Sequence, residues 1–253
     1  MELMAVSTAR QGEDGFLGGR IRVQQPRQGF RSGLDAVMVA AAVPAEDGSR
    51  VLELGAGCGV AALCLAVRVA GCLIEGVELD GGLVTLANQN AASNRMALAV
   101  RFHVGDVFAL PRSLRRQFDH VFTNPPFHGS SGLGSPLAAR AAARQDDGRL
   151  GEWLQAGLRR TTSGGSFTTI LRADRLGEAL AVLPEGGVSV LPLWPRAGLD
   201  AGRVIIQVIK GARSPLRLMS GLLLHRPDGR YTEEAEAVLA KACPLLMARE
   251  RLL

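Results

Sequence analysis

Short apolar runs alternate with longer segments of helical periodicity from residue 49 onward. The runs predict buried strands, and the segments between them predict helices. The strands are expected at 50–54, 73–79, 100–104, 118–123 and 165–171, and the helices at 60–70, 82–94, 136–145, 150–160 and 174–183. This alternation predicts parallel strands, because each helix carries the chain back across a face of the sheet before the next strand begins.

The last third of the chain breaks this alternation. Residues 188–193 and 203–209 are apolar, β-rich runs joined by a loop that contains proline and glycine, and they predict an antiparallel pair. Residues 216–224 predict a further strand, and Thr232 caps a final helix that reaches Cys243. We therefore predict an α/β fold with a doubly wound, mostly parallel seven-stranded sheet and an antiparallel C-terminal hairpin.

Patterning is weaker before residue 49. Residues 19–25 alternate as one half of a hairpin would, and 34–43 predict a helix that begins near Asp35 as its cap and ends at Pro44. We expect a flexible N-terminus over 1–15 and a single domain over 16–253, in which 16–48 is an extension on the substrate side.

Composition is that of an ordinary globular protein. Of the 253 residues, 47% are hydrophobic and 21% are charged. We see no apolar run long enough to span a bilayer and no signal peptide, and so expect a cytoplasmic protein without a membrane partner. The four cysteines lack metal-ligand spacing and the four histidines are dispersed, so we predict no metal site.

Arginine dominates the positive charge. The net charge is +5, and 27 of the 29 basic residues are arginine. A polyanionic partner and a GC-rich genome both explain this excess. Arg31, and Arg140 with Arg144 on one face of a predicted helix, are candidate phosphate contacts; a solvated charged face is the alternative.

The strand at 118–123 ends in Asn124-Pro125-Pro126-Phe127. Two prolines stop the strand and stiffen its tip, at the sheet edge where α/β proteins bind ligands. The amide oxygen of Asn124 and the carbonyl of Pro125 can accept both hydrogens of an exocyclic amine, while Phe127 stacks on the ring that carries it. A simple proline turn is the alternative explanation.

Glycines and acids follow the earlier strands in order. Gly55, Gly57 and Gly59 lie between a strand and a helix, where a ligand can approach the backbone closely. The third glycine follows the second by two residues, unlike a dinucleotide site, and Glu53 could accept from a ligand ammonium group; both features favour S-adenosylmethionine over NAD. Glu78, or Asp80 in another register, can bind the ribose hydroxyls, and Asp106 can accept from the adenine amino group.

These motifs resemble class I S-adenosylmethionine-dependent methyltransferases. The Asn-Pro-Pro-Phe tip is shared by tRNA adenine-N6, rRNA guanine-N2 and release-factor glutamine-N5 enzymes. The segment from Gly29 to Val39, which contains Asp35, and the segment from Leu224 to Thr232 are similar to those of bacterial enzymes that methylate an adenosine of a valine tRNA.

The resemblance implies an enzyme that transfers a methyl group to N6 of an adenosine in tRNA. Asn124, Pro125, Pro126 and Phe127 would then be catalytic, and Arg31, Asp35, Arg140 and Arg144 would contribute to RNA binding. Methylation of a release-factor glutamine or of guanine N2 in rRNA is the alternative, and monomer and dimer are both compatible with the sequence.

Overall fold

The computed structural model describes residues 12–27, 31–126 and 148–247. The strands are β1 (Gly12–Phe16), β2 (Ile21–Gln25), β3 (Arg50–Leu54), β4 (Leu73–Glu78), β5 (Val100–Val104), β6 (Phe118–Thr123), β7 (Thr161–Arg172), β8 (Val188–Trp194), β9 (Arg203–Ile209), β10 (Arg217–Leu218) and β11 (Leu222–Leu223). The α-helices are α1 (Leu34–Ala42), α2 (Val60–Arg68), α3 (Gly81–Ser93), α4 (Leu150–Arg160), α5 (Leu176–Leu180) and α6 (Glu233–Leu239).

The central sheet has the strand order β10-β8-β9-β7-β6-β3-β4-β5, with β11 also beside β8. Strand β9 is antiparallel to β7 and β8, whereas the other paired strands of this sheet are parallel. The chain fills the sheet from β3 to β5 in one direction and then returns to place β6 on the other side of β3. The strand order therefore reverses between β3 and β6, and in open α/β sheets ligands bind at the carboxyl edge beside such a reversal.

Both faces of the sheet are covered. On β3, Val51 belongs to the core cluster under α1, α2 and α3, while Leu52 and Leu54 belong to the cluster under α4 and α5. Strands buried on both faces become almost wholly apolar, which is why the sequence shows runs rather than strict alternation. This is the predicted α/β architecture, with β3–β9 as its seven longer strands and the antiparallel β8–β9 pair confirmed.

The predicted strand at 216–224 is instead two separate strands, β10 and β11, each of two residues. Both pair in parallel with β8 rather than extending the hairpin. The indole Nε1 of Trp194 donates to the Ser220 carbonyl at 3.1 Å, and Gly221 between the strands has φ +90°. The chain therefore bends around the Trp194 ring, and this bend divides the strand.

The N-terminal expectation also needs correction. Residues 12–15, predicted to belong to a flexible N-terminus, instead lie in β1, which pairs antiparallel with β2. The free edge of β2 is bound by one side chain of α3 and by the residue that caps its C-terminus. Asn90 accepts from the Gln24 N–H at 2.9 Å and donates to its carbonyl at 3.0 Å, and Asn94 does the same for Arg22 at 3.0 and 2.7 Å. These amides take the place of a neighbouring strand.

Several predicted boundaries shift. Gly33 rather than Asp35 precedes the first turn of α1, and Asp35 makes an ion pair with Arg203 instead of capping the helix. Helix α4 matches its prediction, but β7 begins at Thr161 directly after it, four residues before the prediction. The predicted 174–183 helix is a 3₁₀ turn followed by α5, and α2 and α6 end early; the predicted helix at 136–145 lies outside the described residues. In the part of the chain that the structure describes, no helix is both long and apolar enough to cross a membrane.

Candidate active site

The ends of β3 and β6 bring together the glycine loop (residues 55–59) and the proline corner (residues 124–126). Leu54 and Thr123 are register partners, and the Thr123 hydroxyl donates to the Leu54 carbonyl at 2.8 Å. Gly55 follows Leu54, and Asn124 follows Thr123. The two motifs therefore begin side by side at the reversal of strand order, about one strand spacing (~4.8 Å) apart.

The glycine loop has a backbone that other residues adopt only with strain. Gly55, Gly57 and Gly59 have φ of +72°, +55° and +88°. A Cβ on Gly55 would lie 2.8 Å from Cη2 of Trp153, and one on Gly59 would lie 2.6 Å from the Phe102 ring. Both the backbone conformation and the close packing therefore require glycine at these two positions.

Glu53 lies beneath this loop with 3% of its surface exposed. One carboxylate oxygen accepts from the Ala62 N–H of α2 at 3.2 Å. Burial raises the pKa of Glu53 well above its usual value, and the nearby charge of Glu78 raises it further. A cationic group brought into the loop would offset that cost, which fits the ammonium-binding role predicted from the sequence.

Glu78 and Asp80 take different roles at the end of β4. Glu78 accepts from the Gly57 N–H at 2.9 Å, so its carboxylate lies against the glycine loop. Asp80 accepts from the Gly82 and Leu83 N–H groups at 2.7 and 3.1 Å and so caps α3. Because Glu78 contacts the glycine loop whereas Asp80 caps α3, Glu78 remains the acid that we predict to face a ligand in the loop.

Asp106 lies exposed after β5 and accepts from the Phe108 N–H at 2.8 Å. Two apolar side chains at the neighbouring strand ends face solvent: Leu79 is 71% exposed and Val104 is 56% exposed. Glu78 and Val104 are register partners, so this apolar surface adjoins both acids. An apolar surface bordered by hydrogen-bonding acids suits a nucleoside.

Asn124 provides the least satisfied polar atom of the site. Its side-chain oxygen is buried and has no hydrogen-bond partner within the described residues. Pro125 is buried and Pro126 is half-buried, so the corner is firmly packed on one side. A buried acceptor without a partner is costly unless a ligand donates to it, so this oxygen is available to a substrate N–H.

Sequence reasoning missed an aromatic group on α4. Trp153 packs on Gly55 and makes an edge contact with Phe108 at 5.7 Å between ring centroids. The Arg149 guanidinium lies 3.6 Å from the centroid of the Phe108 ring and bonds Glu152 through two nitrogens. These side chains therefore pack together beside the glycine loop. The scarcity of aromatic residues, 4% of the chain, was the one available signal.

The weaker RNA-binding candidates have mixed outcomes. Arg31 makes an ion pair with Asp14, and Asp35 makes one with Arg203 at 2.9 Å. Asp35 therefore orients an arginine at the start of β9, on the same edge of the sheet as Asn124. Phe127, Arg140 and Arg144 lie outside the described residues. Residues 12–27, 31–126 and 148–247 hold no group of three or more side chains suited to a metal ion.

Comparison with known proteins identifies the fold. Residues 34–150 match the model of the methyltransferase small domain. A predicted O-methyltransferase from Agrobacterium tumefaciens superposes with a TM-score of 0.71 at 22% identity, covering 84% of this chain and 98% of its own. An S-adenosylmethionine-dependent O-methyltransferase from Thermotoga maritima gives 0.53 at 17% identity, with 74% and 68% covered. The protein therefore has the fold of the class I methyltransferases.

Sequence relatives narrow the class. The tRNA1(Val) (adenine(37)-N6)-methyltransferase of Yersinia enterocolitica is 31% identical over 67% of this chain and 67% of its own. Those of Escherichia coli O157:H7 and Dickeya chrysanthemi are 29% and 27% identical, over 96% and 88% of this chain and 100% and 92% of their own. The chain belongs to this family of methyltransferases.

Proposed function

We propose that this methyltransferase modifies the exocyclic N6 of an adenosine in tRNA, with Asn124 as the principal acceptor of the amino hydrogens. The observation that supports the proposal most directly is the buried Asn124 oxygen beside the glycine loop, which has no hydrogen-bond partner among the residues that the structure describes. The substrate class follows from the relatives, which are named for adenine 37 of tRNA1(Val). As a tRNA-modifying enzyme it would act in the cytoplasm.

The acidic and apolar groups around the glycine loop suit S-adenosylmethionine as the methyl donor. Glu53, below the loop, would offset the ammonium charge, and Glu78 would bind the ribose hydroxyls. Asp106 would accept from the adenine amino group, while exposed Leu79 offers an apolar surface for the purine ring. When bound, the cofactor supplies an electrophilic methyl group on a sulfonium.

Asn124 and Pro125 would act on the substrate by accepting hydrogen bonds. The side-chain oxygen of Asn124 and the Pro125 carbonyl accept the two N6 hydrogens of a base that has been unstacked from the RNA. These bonds hold the nitrogen lone pair out of ring conjugation and direct it at the methyl group. No strong base is needed, because the amine loses its proton after the new N–C bond has formed. Positioning and hydrogen bonding supply the acceleration.

The role that we propose for Phe127 rests on the sequence alone. An aromatic side chain directly after the corner would stack on the target base, and such stacking is worth roughly 1–3 kcal/mol by alanine substitution. Phe127→Ala should therefore weaken substrate binding, while Phe127→Leu should restore only part of it. An unchanged KM for tRNA in both variants would argue against stacking by this residue.

The test uses the full chain and S-adenosylmethionine with a labelled methyl group. Three substrates are supplied in separate reactions: an unmodified valine tRNA transcript, a peptide release factor and an rRNA. Digestion of the tRNA and mass spectrometry of its nucleosides should show N6-methyladenosine. Label that enters the release factor instead would support the glutamine-N5 alternative. N2-methylguanosine formed in an rRNA substrate, with no label in tRNA, would support the guanine alternative.

A further inference from the structure

Gln25, at the end of β2, is a buried amide with only 1% of its surface exposed. Its nitrogen donates to the Asp14 carboxylate at 2.7 Å and to the Ser32 carbonyl at 3.1 Å. Its oxygen accepts from the Ser32 N–H at 2.8 Å and from the Cys58 thiol at 3.4 Å. One side chain therefore joins the β1–β2 hairpin, the segment before α1 and the glycine loop.

The contact with Cys58 places this network at the cofactor site. Cys58 lies between Gly57 and Gly59, and its carbonyl also accepts from the Asn90 side chain at 3.0 Å. Burial raises the pKa of the Cys58 thiol to about 11, so the thiol remains protonated and able to donate. Two amides, on β2 and on α3, thus connect the hairpin to one residue of the glycine loop.

At its other end the network holds Arg31. The same Asp14 oxygen that accepts from Gln25 makes the ion pair with Arg31, whose side chain remains 39% exposed. The Arg31 guanidinium also packs on Gly12, where an added Cβ would lie 3.3 Å from one of its nitrogens. Arg31 comes just before α1, and Asp35 in the first turn of α1 contacts Arg203 at the carboxyl edge of the sheet. Arg31 is therefore four residues along the chain from a contact at that edge.

We propose that Gln25 and Asp14 are positioning residues that hold Arg31 ready for an RNA phosphate and link that placement to the cofactor loop. The proposal rests on the proposed function, since it takes RNA as the substrate. Without its partners, a long arginine side chain would lose rotamer freedom on binding phosphate. An arginine that is already oriented avoids that loss.

Removing Asp14 gives the strongest test, because the positioning role and simple electrostatics predict opposite changes in RNA affinity. Asp14 carries a negative charge, so its removal should strengthen the binding of a polyanion if charge alone matters. If Asp14 instead orients Arg31, Asp14→Asn should weaken RNA binding. Glu13→Gln is the matched control, because Glu13 is the preceding residue of β1, carries the same charge and pairs at 3.0 Å with the exposed Arg22.

The probe is a fluorescently labelled, unmodified valine tRNA transcript, and its Kd is measured by anisotropy with and without S-adenosylhomocysteine. We expect Asp14→Asn to raise the Kd about five-fold, the effect of one half-exposed charged contact. Glu13→Gln should leave the Kd unchanged or lower it. Adding Asp14→Asn to Arg31→Ala should cause no further loss, because both variants remove the same contact.

The link to the cofactor loop has its own readout. We expect S-adenosylhomocysteine to tighten tRNA binding by the wild type. The ratio of the tRNA Kd measured without S-adenosylhomocysteine to the Kd measured with it should be smaller in Gln25→Leu. Gln25→Leu leaves buried groups unpaired and is destabilised, so its comparison is restricted to temperatures below its Tm. Asp14 lies nearer the surface, and its variant tests the positioning role even where Gln25→Leu does not fold.

The outcomes separate this proposal from the enzymatic one. Equal effects of Asp14→Asn and Glu13→Gln on the tRNA Kd, or additive losses in the double variant, would overturn the positioning role while methylation by the wild type stands. A wild type that binds S-adenosylhomocysteine but neither binds nor methylates tRNA would instead overturn the proposed function. If the tRNA Kd of the wild type is the same with and without S-adenosylhomocysteine, the proposed link to the cofactor loop is overturned.

Discussion

Replacing Asn124 by alanine should separate stability from activity. The Asn124 oxygen is buried without a partner in the described residues, and an unpaired buried acceptor costs about 1–3 kcal/mol. Removing the amide abolishes that cost, and the loss of its packing offsets part of the gain. We expect the free energy of unfolding of the ligand-free protein to rise by about 1 kcal/mol, and Tm by about 2–4 °C for a chain of this size.

Activity should change in the opposite direction. If Asn124 accepts an N6 hydrogen in the transition state, its loss should lower kcat by about 10²–10³, by analogy with the removal of one oriented hydrogen-bonding group from an active site. The Kd of S-adenosylhomocysteine, measured by calorimetry, should stay within about two-fold of the wild type, since that affinity depends on other residues. Thermal unfolding and single-turnover methylation of the valine tRNA transcript give the other two quantities.

Asn88 offers a matched control for the stability measurement. Its amide donates to the Val84 and Phe102 carbonyls at 3.0 Å each and accepts from the Phe102 N–H at 3.1 Å. Asn88→Ala removes the side-chain partner of the Phe102 N–H and carbonyl, so Tm should fall rather than rise. A fall in Tm for Asn124→Ala of the same size, together with retained turnover, would refute the reasoning about the corner.

Two further predictions concern the cofactor loop. Burial raises the pKa of Glu53 above its ordinary value of 4.5, so the unfolding free energy of the ligand-free protein should fall as pH rises from 4.5 towards the raised pKa. Glu53→Gln should make the unfolding free energy, followed by thermal unfolding, depend less on pH, and it should raise Tm at neutral pH while weakening S-adenosylhomocysteine binding. An unchanged pH dependence in this variant would contradict the prediction. Gly55→Ala should lower Tm and cofactor affinity, because the new Cβ would strain a backbone with φ +72° at a cost of about 1–2 kcal/mol and would collide with Trp153. Adding Trp153→Phe should recover only the part of the Tm loss that comes from the collision. Recovery of the whole loss would show that the backbone carries no strain.

Most strands of the central sheet could be predicted because each is a run of apolar residues bounded by glycine, proline or charge. The 100–104 strand and the 150–160 helix match β5 and α4 at both ends. By contrast, β1 has the sequence Gly-Glu-Asp-Gly-Phe and looks like loop. It forms because β2 is secured by Asn90 and Asn94, 66 and 72 residues further along the chain from Gln24 and Arg22. No local pattern records such a contact.

Some candidate site residues could likewise be predicted from the sequence, whereas others required the structure. The spacing of the glycines and acids after successive strands indicated the cofactor loop, Glu78 and the Asn124 corner. Whether Glu78 or Asp80 faces the loop required the structure, because the two acids are two residues apart and both are plausible caps. Trp153 could not be assigned either, since its contact with Gly55 depends on how α4 packs across the end of β3.

The sequence alone determined the order of strands and helices, the glycine turn and the proline corner, because each depends on backbone preferences and on the side chains of a few consecutive residues. Only the tertiary structure decided which polar groups remain unpaired and which arginines are held by carboxylates. Those outcomes depend on contacts between segments far apart in the chain, such as Cys58 with Gln25 and Asp35 with Arg203. Burial then sets the energetic weight of each contact.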